Sequence, residues 1–151
     1  VERVIIFNLL LLLASGYAVW RGGVPERIVG ISLLLAGLLT RLAYQPFAER
    51  FVSVDWGVLA IDVALLTVLI AVALYADRFW PLWLAAFHVL GTGAHLVRGM
   101  DHGIEPVAYA ILLAAWSYPM IVLLVLGTAR HARRRRVGPV RDWSGSPPLS
   151  S

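Results

Sequence analysis

Apolar residues in this chain gather into five long blocks, each closed by a short polar or Gly/Pro-containing interruption. As helices the blocks run from about Val4 to Trp20, Ile28 to Tyr44, Trp56 to Ala76, Leu82 to Val97 and Pro106 to Ala129. Each is long enough to cross the hydrocarbon of a bilayer, which takes about 17–25 helical residues. The pattern predicts an all-α fold, a polytopic transmembrane helical bundle of five helices over residues 1–129. A tail over 130–151 follows, basic and then rich in Pro, Ser and Gly, with too little apolar surface to order itself.

The interruptions carry their own information. Arg21-Gly22-Gly23-Val24-Pro25 reads as the turn after the first helix, and Gln45-Pro46 as the stop of the second. Phe47 and Phe51 stand one helical turn apart, with Glu49 and Arg50 between them, which suits a short interfacial helix running to Asp55. Asp77-Arg78-Phe79-Trp80-Pro81 leaves room only for a tight antiparallel hairpin, and Pro106 suits the first turn of the fifth helix. Gly and Pro breaks do not recur at matching places, so the inverted-repeat signature of many transporters is missing.

Composition strengthens the membrane reading. Of 151 residues 60% are hydrophobic and only 15% charged, too few charges to cover a soluble domain. No remaining segment is long enough for a second domain. Cysteine is absent, which removes disulfides, thiolate metal sites, haem thioethers and palmitoylation together. Val1 in place of Met points to a processed, alternative or truncated start, and the uncharged balance of Val1-Glu2-Arg3 favours a retained first helix over a cleaved signal peptide.

Charge sets the expected orientation. All 13 basic residues are arginine. With five spans and the tail inside, nine arginines fall on the inner side and four (Arg3, Arg41, Arg50 and Arg98) on the outer side, which follows the positive-inside rule. The N-terminus is then outside and the C-terminus cytoplasmic, in a bacterial inner membrane. Arg133, Arg134, Arg135 and Arg136 anchor that topology on anionic lipid headgroups, at about 1 kcal/mol per charge. No aromatics interleave with them, so nucleic acid is not the expected partner. Trp20, Trp56, Trp80 and Trp83 fall near helix ends, where indole rings prefer the headgroup layer.

Candidate chemistry is sparse. Asp62 is the one charge in the third apolar block, and a carboxylate at that depth costs about 2.5–3.5 kcal/mol unless it finds protein or water. His88 and His95 lie seven residues apart on one face of the fourth helix, and His102 continues that spacing. Folding the third and fourth helices as a hairpin brings Asp62 to a depth between His88 and His95. Asp62, His88 and His95 are thus the candidate polar or ligand site, either a proton or cation foothold or a hydrogen bond that fixes packing. One metal shared by His88 and His95 is disfavoured, since chelation by one helix wants neighbours three or four residues apart. Bis-histidine haem would need a second helix or subunit, and a chlorin or quinone contact stays open for the same reason.

Three further features concern packing. Ala85, Ala86, Gly91, Thr92, Gly93 and Ala94 make the fourth helix a place of close helix approach. Asn8 and Ser15 repeat the seven-residue spacing and are placed to hydrogen-bond across to another helix. Pro119, within Trp116-Ser117-Tyr118-Pro119, frees the carbonyl of Ala115 and predicts a helix kink, while Tyr109 and Trp116 share a face.

The run Asp77-Arg78-Phe79-Trp80-Pro81-Leu82-Trp83, with His88, His95 and the later Trp116-Ser117-Tyr118-Pro119, resembles a group of small uncharacterised bacterial inner-membrane proteins. The resemblance covers helices three to five and implies no activity. Size and tryptophan content are also similar to the tryptophan-rich sensory protein family, but the loops and third helix depart from that pattern. Hydrolase, P-loop and dinucleotide motifs are missing. The sequence therefore points to a non-catalytic integral membrane subunit or accessory factor, with a membrane-protein partner or second copy beside it. Its alternatives are a proton- or cation-coupled carrier using Asp62 with His88 or His95, and a haem, chlorin or quinone contact through either histidine.

Overall fold

A computed structural model describes residues 2–43, 56–100 and 106–147, with side chains for all of these except 95–100 and 106–114. Five helices account for nearly all of them: α1 (Glu2–Arg21), α2 (Val24–Ala43), α3 (Trp56–Tyr75), α4 (Trp80–Met100) and α5 (Pro106–Val137). The fold is all-α, and the described residues contain no strand beyond one isolated bridge between Ala76 and Trp143. Among the described residues two helices, α1 and α3, are long and apolar enough to cross a membrane. The expected interfacial helix over 47–55, and His102, lie outside the described residues.

Successive helices run antiparallel and pack side by side as a ring: α1 on α2, α2 on α3, α3 on α4, α4 on α5, and α5 back on α1. α5 also touches α2 across the middle. The core is built from Leu11, Ala14 and Ala18 of α1, Val29 and Leu33 of α2, Leu65, Leu69 and Val72 of α3, Leu84 of α4, and Met120, Ile121 and Leu124 of α5. The up-down order gives the bundle two ends. At one, α1 begins and α2 finishes. At the other lie the α1–α2 turn, the α3–α4 turn and the end of α5.

Helix starts differ from expectation where local chemistry outweighs the apolar pattern. α2 begins at Val24 rather than Ile28, because Gly22-Gly23-Val24-Pro25-Glu26 is a stop and a start in immediate succession. The Gly22 amide returns to the Ala18 carbonyl at 2.9 Å and closes α1, and a Cβ there would run into that carbonyl and into Glu26. Pro25 sits in the first turn of α2, where an absent N–H costs nothing. The Glu26 carboxylate reaches back to accept the Gly23 amide at 3.0 Å, the acidic half of a capping box.

The end of the chain also departs from expectation. α5 does not stop at Ala129 but carries the arginine run as helix to Val137, a length of about 48 Å at 1.5 Å per residue. Pro119 lies inside this continuous helix. Residues 138–147 then fold back across the α3–α4 turn: the Asp77 amide donates to the Asp142 carbonyl at 3.0 Å and the Ser144 amide to the Tyr75 carbonyl at 2.8 Å. Gly145, at φ 92°, makes the reversal that lets Trp143 accept from Ser146. The expected loss of order from 130 onward differs from what the described residues through 147 show, where polar contacts of Asp142 and Ser144 and the packing of Trp143 against the core pin the segment.

Of the small residues expected to allow close approach on α4, Ala85, Thr92 and Ala94 are buried, while the tightest glycine contacts lie on other helices. Among the described residues, a Cβ on Gly91 or Gly93 of α4 would meet nothing within 4 Å. The tight contacts are Gly30 of α2 against Ala18 and Ser15, Gly37 against Leu11, and Gly127 of α5 beneath the Trp80 indole. Trp80 is therefore buried, not interfacial, while Trp20, Trp56 and Trp83 are exposed. Asn8 turns back to the Val4 carbonyl of its own helix, and the Ser15 hydroxyl has no partner, so neither bridges to another helix. Gly127→Ala places a methyl 2.6–2.7 Å from the Trp80 ring and is expected to cost about 1–3 kcal/mol, whereas Gly91→Ala should be neutral or stabilising. Thermal unfolding of both variants in detergent checks the contrast, and equal effects would refute this packing.

Candidate functional site

Two polar regions occupy opposite halves of the bundle. The first is a cavity of about 310 Å³ in the half where α1 begins, with Asn8, Thr40, Arg41, Asp62, His88 and Ser117 among its lining residues. Its apolar wall includes Phe87 of α4 and Trp116 of α5, stacked at 5.9 Å between ring centroids and 26° between planes. Asp62 and His88 thus share one cavity, as the hairpin geometry requires. Their contact is not carboxylate to imidazole: His88 Nε2 donates to the backbone carbonyl of Asp62 at 2.9 Å. That bond orients the ring and fixes the tautomer, leaving the lone pair on Nδ1. His95 lies on α4, its side chain outside the described set, as is that of Tyr109.

The second region was not foreseen. At the opposite end Glu26 of α2, Arg78 of the α3–α4 turn, His131 of α5 and Asp142 of the returning segment meet in the interior. The Arg78 side chain is 5% exposed and uses all five of its N–H donors. Nε donates to Glu26 Oε1 at 3.4 Å. Nη2 donates to Asp142 Oδ1 and to His131 Nδ1, each at 2.9 Å. Nη1 donates to the carbonyls of Asp77 and Arg141.

The carboxylates are equally committed. Glu26 Oε2 takes the Gly23 amide, and Asp142 Oδ2 takes the Val24 amide at 3.1 Å. Residue 23 is where a helix wants a Ser, Thr or Asp side chain to cap its first amides. Gly23 offers none. Asp142, 119 positions further along, supplies the missing carboxylate, and a Cβ on Gly23 would collide with it and come within 2.6 Å of the His131 ring.

Because arginine can only donate, His131 Nδ1 is an acceptor and the proton sits on Nε2, a buried donor with no acceptor of its own. Burial holds the His131 pKa below its ordinary 6.5; the Arg78 and Arg135 charges lower it further, while Glu26 and Asp142 oppose the shift.

Glu26, His131 and Asp142 present ligand atoms within 4.8 Å of one another, a spacing that suits a metal ion. The guanidinium of Arg78 stands among them and holds one atom of each, so the cation of this cluster is already supplied by the chain. The sequence does contain signals for the site: a Gly-Val-Pro-Glu helix start, the lone acid of the tail, and a histidine among arginines. Each is weak alone, and only the ring order of the helices unites them.

No protein-family model, curated protein or solved structure matches this chain.

Two outcomes follow from this geometry. Arg78→Lys keeps the charge but loses the planar fork, and is expected to lower stability by about 3 kcal/mol, a loss read from thermal or denaturant unfolding. An unchanged melt would refute the five-donor assignment. The unfolded chain takes up a proton on His131 near pH 6.5 while the folded chain resists it, so stability should fall as pH drops below about 6.5 until the lowered folded pKa is passed. Comparing His131→Gln with the parent across that range isolates the contribution, which should vanish in the variant.

Proposed function

We propose that the chain is a five-span integral protein of a bacterial inner membrane, with its N-terminus outside and its arginine-rich end cytoplasmic, and that it acts without catalysis as a binding or accessory subunit. The observation that carries this reading is the inverted distribution of side chains. Each helix turns large aliphatics outward: Ile5, Leu9 and Leu13 of α1, Ile31, Leu35 and Leu42 of α2, Val63, Ile70 and Leu74 of α3, Leu82 and Val89 of α4, Val122 and Leu126 of α5. Carboxylates, a guanidinium and imidazoles lie within. Water would penalise such a surface on every side, whereas hydrocarbon accepts it. α2 carries Glu26, Arg27 and Arg41, but Glu26 is buried in the bundle and the arginines stand near the helix ends, where their stems can lie in lipid.

Exposed Trp20, Phe79 and Trp83 cluster at the end that bears Arg21, Arg27 and the arginines of α5, an aromatic belt beside a basic collar. The cavity at the other end is the binding element: a small amphipathic guest would lie on the Phe87–Trp116 stack with its polar part toward Asp62 and His88. The same pair sustains a second reading, a proton- or cation-coupled carrier, because His88 and Asp62 share one cavity and are joined by a hydrogen bond.

The chain has no cysteine, so single cysteines report topology directly. Glu2→Cys should react with an impermeant maleimide in intact cells, and Ser146→Cys only after permeabilisation. Labelling of both from one side, or recovery of the protein without detergent, would overturn the five-span assignment. In proteoliposomes, Asp62→Asn is expected to leave ion flux at background, as in the parent; flux in the parent that the variant abolishes would replace the accessory reading with the carrier.

A further inference from the structure

The end of the bundle that bears the buried ion cluster also holds a recess of about 450 Å³ between the start of α4 and the last turns of α5. Its walls include Arg78, Trp80, Gly127, Arg130, His131 and Arg134. Two of these carry buried N–H groups with no acceptor: Trp80 Nε1, on a residue 8% exposed, and His131 Nε2, on a residue 3% exposed. Leaving a buried donor unmet is unfavourable, and two at one recess is a marked excess of donor capacity. Arg130 and Arg134, one helical turn apart on α5, are exposed and make no ion pair with a described residue.

We propose that this recess binds a phosphate-bearing anion, held by Arg130 and Arg134 and by the indole and imidazole N–H groups of Trp80 and His131. The chemistry selects the class of ligand. Arg78 has spent every donor on the ion cluster and contributes only its field. Trp80 and His131 offer N–H groups and no lone pair, which excludes a metal cation and calls for a ligand rich in acceptor oxygens. Asp77 borders the same recess, and its negative charge favours a singly charged phosphodiester over a dianion. Phe79 and Trp83, packed edge to face at 6.4 Å and both exposed beside the recess, give acyl chains a surface next to the charge. If the five-span reading holds, on which this choice of source rests, the ligand is the headgroup of an anionic phospholipid of the cytoplasmic leaflet; free phosphate shares its chemistry.

The test uses the purified full chain in detergent, titrated with short-chain phosphatidylglycerol, with phosphatidylcholine of the same chain length, and with inorganic phosphate. Binding is followed by native mass spectrometry and by thermal shift. Phosphatidylglycerol should be retained and raise the melting temperature, and phosphatidylcholine should not. Arg130→Ala/Arg134→Ala should weaken retention at least about tenfold, and Trp80→Phe, which keeps the ring but loses the N–H, several-fold. Arg3→Ala/Arg141→Ala removes the same charge at residues outside the recess and should leave retention intact. Equal loss in both double variants would reduce the effect to diffuse attraction and overturn the site, as would indifference between the two lipids together with no response to phosphate. Binding of inorganic phosphate alone would keep the site and assign it a soluble ligand. A chain that proves soluble without detergent would defeat the membrane reading while the phosphate arm still reports on the recess.

Discussion

A guanidinium buried among helices is stable only if every one of its donors is met, and that demand on Arg78 organises one whole end of this molecule. Taking such a charge out of water costs several kcal/mol, repaid only when geometry and hydrogen bonding are complete. Completion here requires four separate parts of the chain: the first turn of α2 through Glu26, the α3–α4 turn through Asp77, α5 through His131, and the returning segment through Arg141 and Asp142. Loss of any one leaves the others with an unpaired buried charge. The cluster therefore acts less as a sum of attractions than as a constraint on register, fixing which turns may meet and how far α5 must extend before the chain folds back.

The same constraint explains the glycines at the α1–α2 turn. Gly22 admits the close of α1 and the Cβ of Glu26 into one small volume. Gly23 leaves the capping place empty so that Asp142 can fill it from the far end of the chain. A local cap would have made α2 self-sufficient and the returning segment dispensable. By omitting it, the sequence ties the start of the second helix to the returning segment, which closes the helical ring a second time at its end.

Helix number and order were legible because apolar blocks of bilayer length announce themselves. The hairpin of α3 on α4 followed from a link too short for anything else, and with it the meeting of Asp62 and His88. What apolar pattern cannot resolve is where charged residues near helix ends belong. Glu26 and Arg27 read as loop, so the first turn of α2 was missed; the arginine run read as tail, so eight helical residues of α5 were missed. Trp80 read as interfacial because indoles near helix ends usually are, but Gly127 opposite it leaves room for the ring inside. The atom of Asp62 that His88 contacts, a carbonyl and not the carboxylate, lies beyond any sequence rule.

The two ends of the bundle thus resolve the problem of buried polarity in opposite ways. At the Arg78 end two carboxylates, a neutral imidazole and the backbone close on one guanidinium, leaving over the donors of His131 and Trp80. At the Asp62 end the polar groups surround empty space and face an aromatic stack. A saturated cluster resists rearrangement, since any motion must break several charge-assisted bonds together. Polar groups around a cavity can exchange partners singly with water or a guest. Rigidity at one end and exchangeable polarity at the other are thus built into one bundle by the same ring of helices.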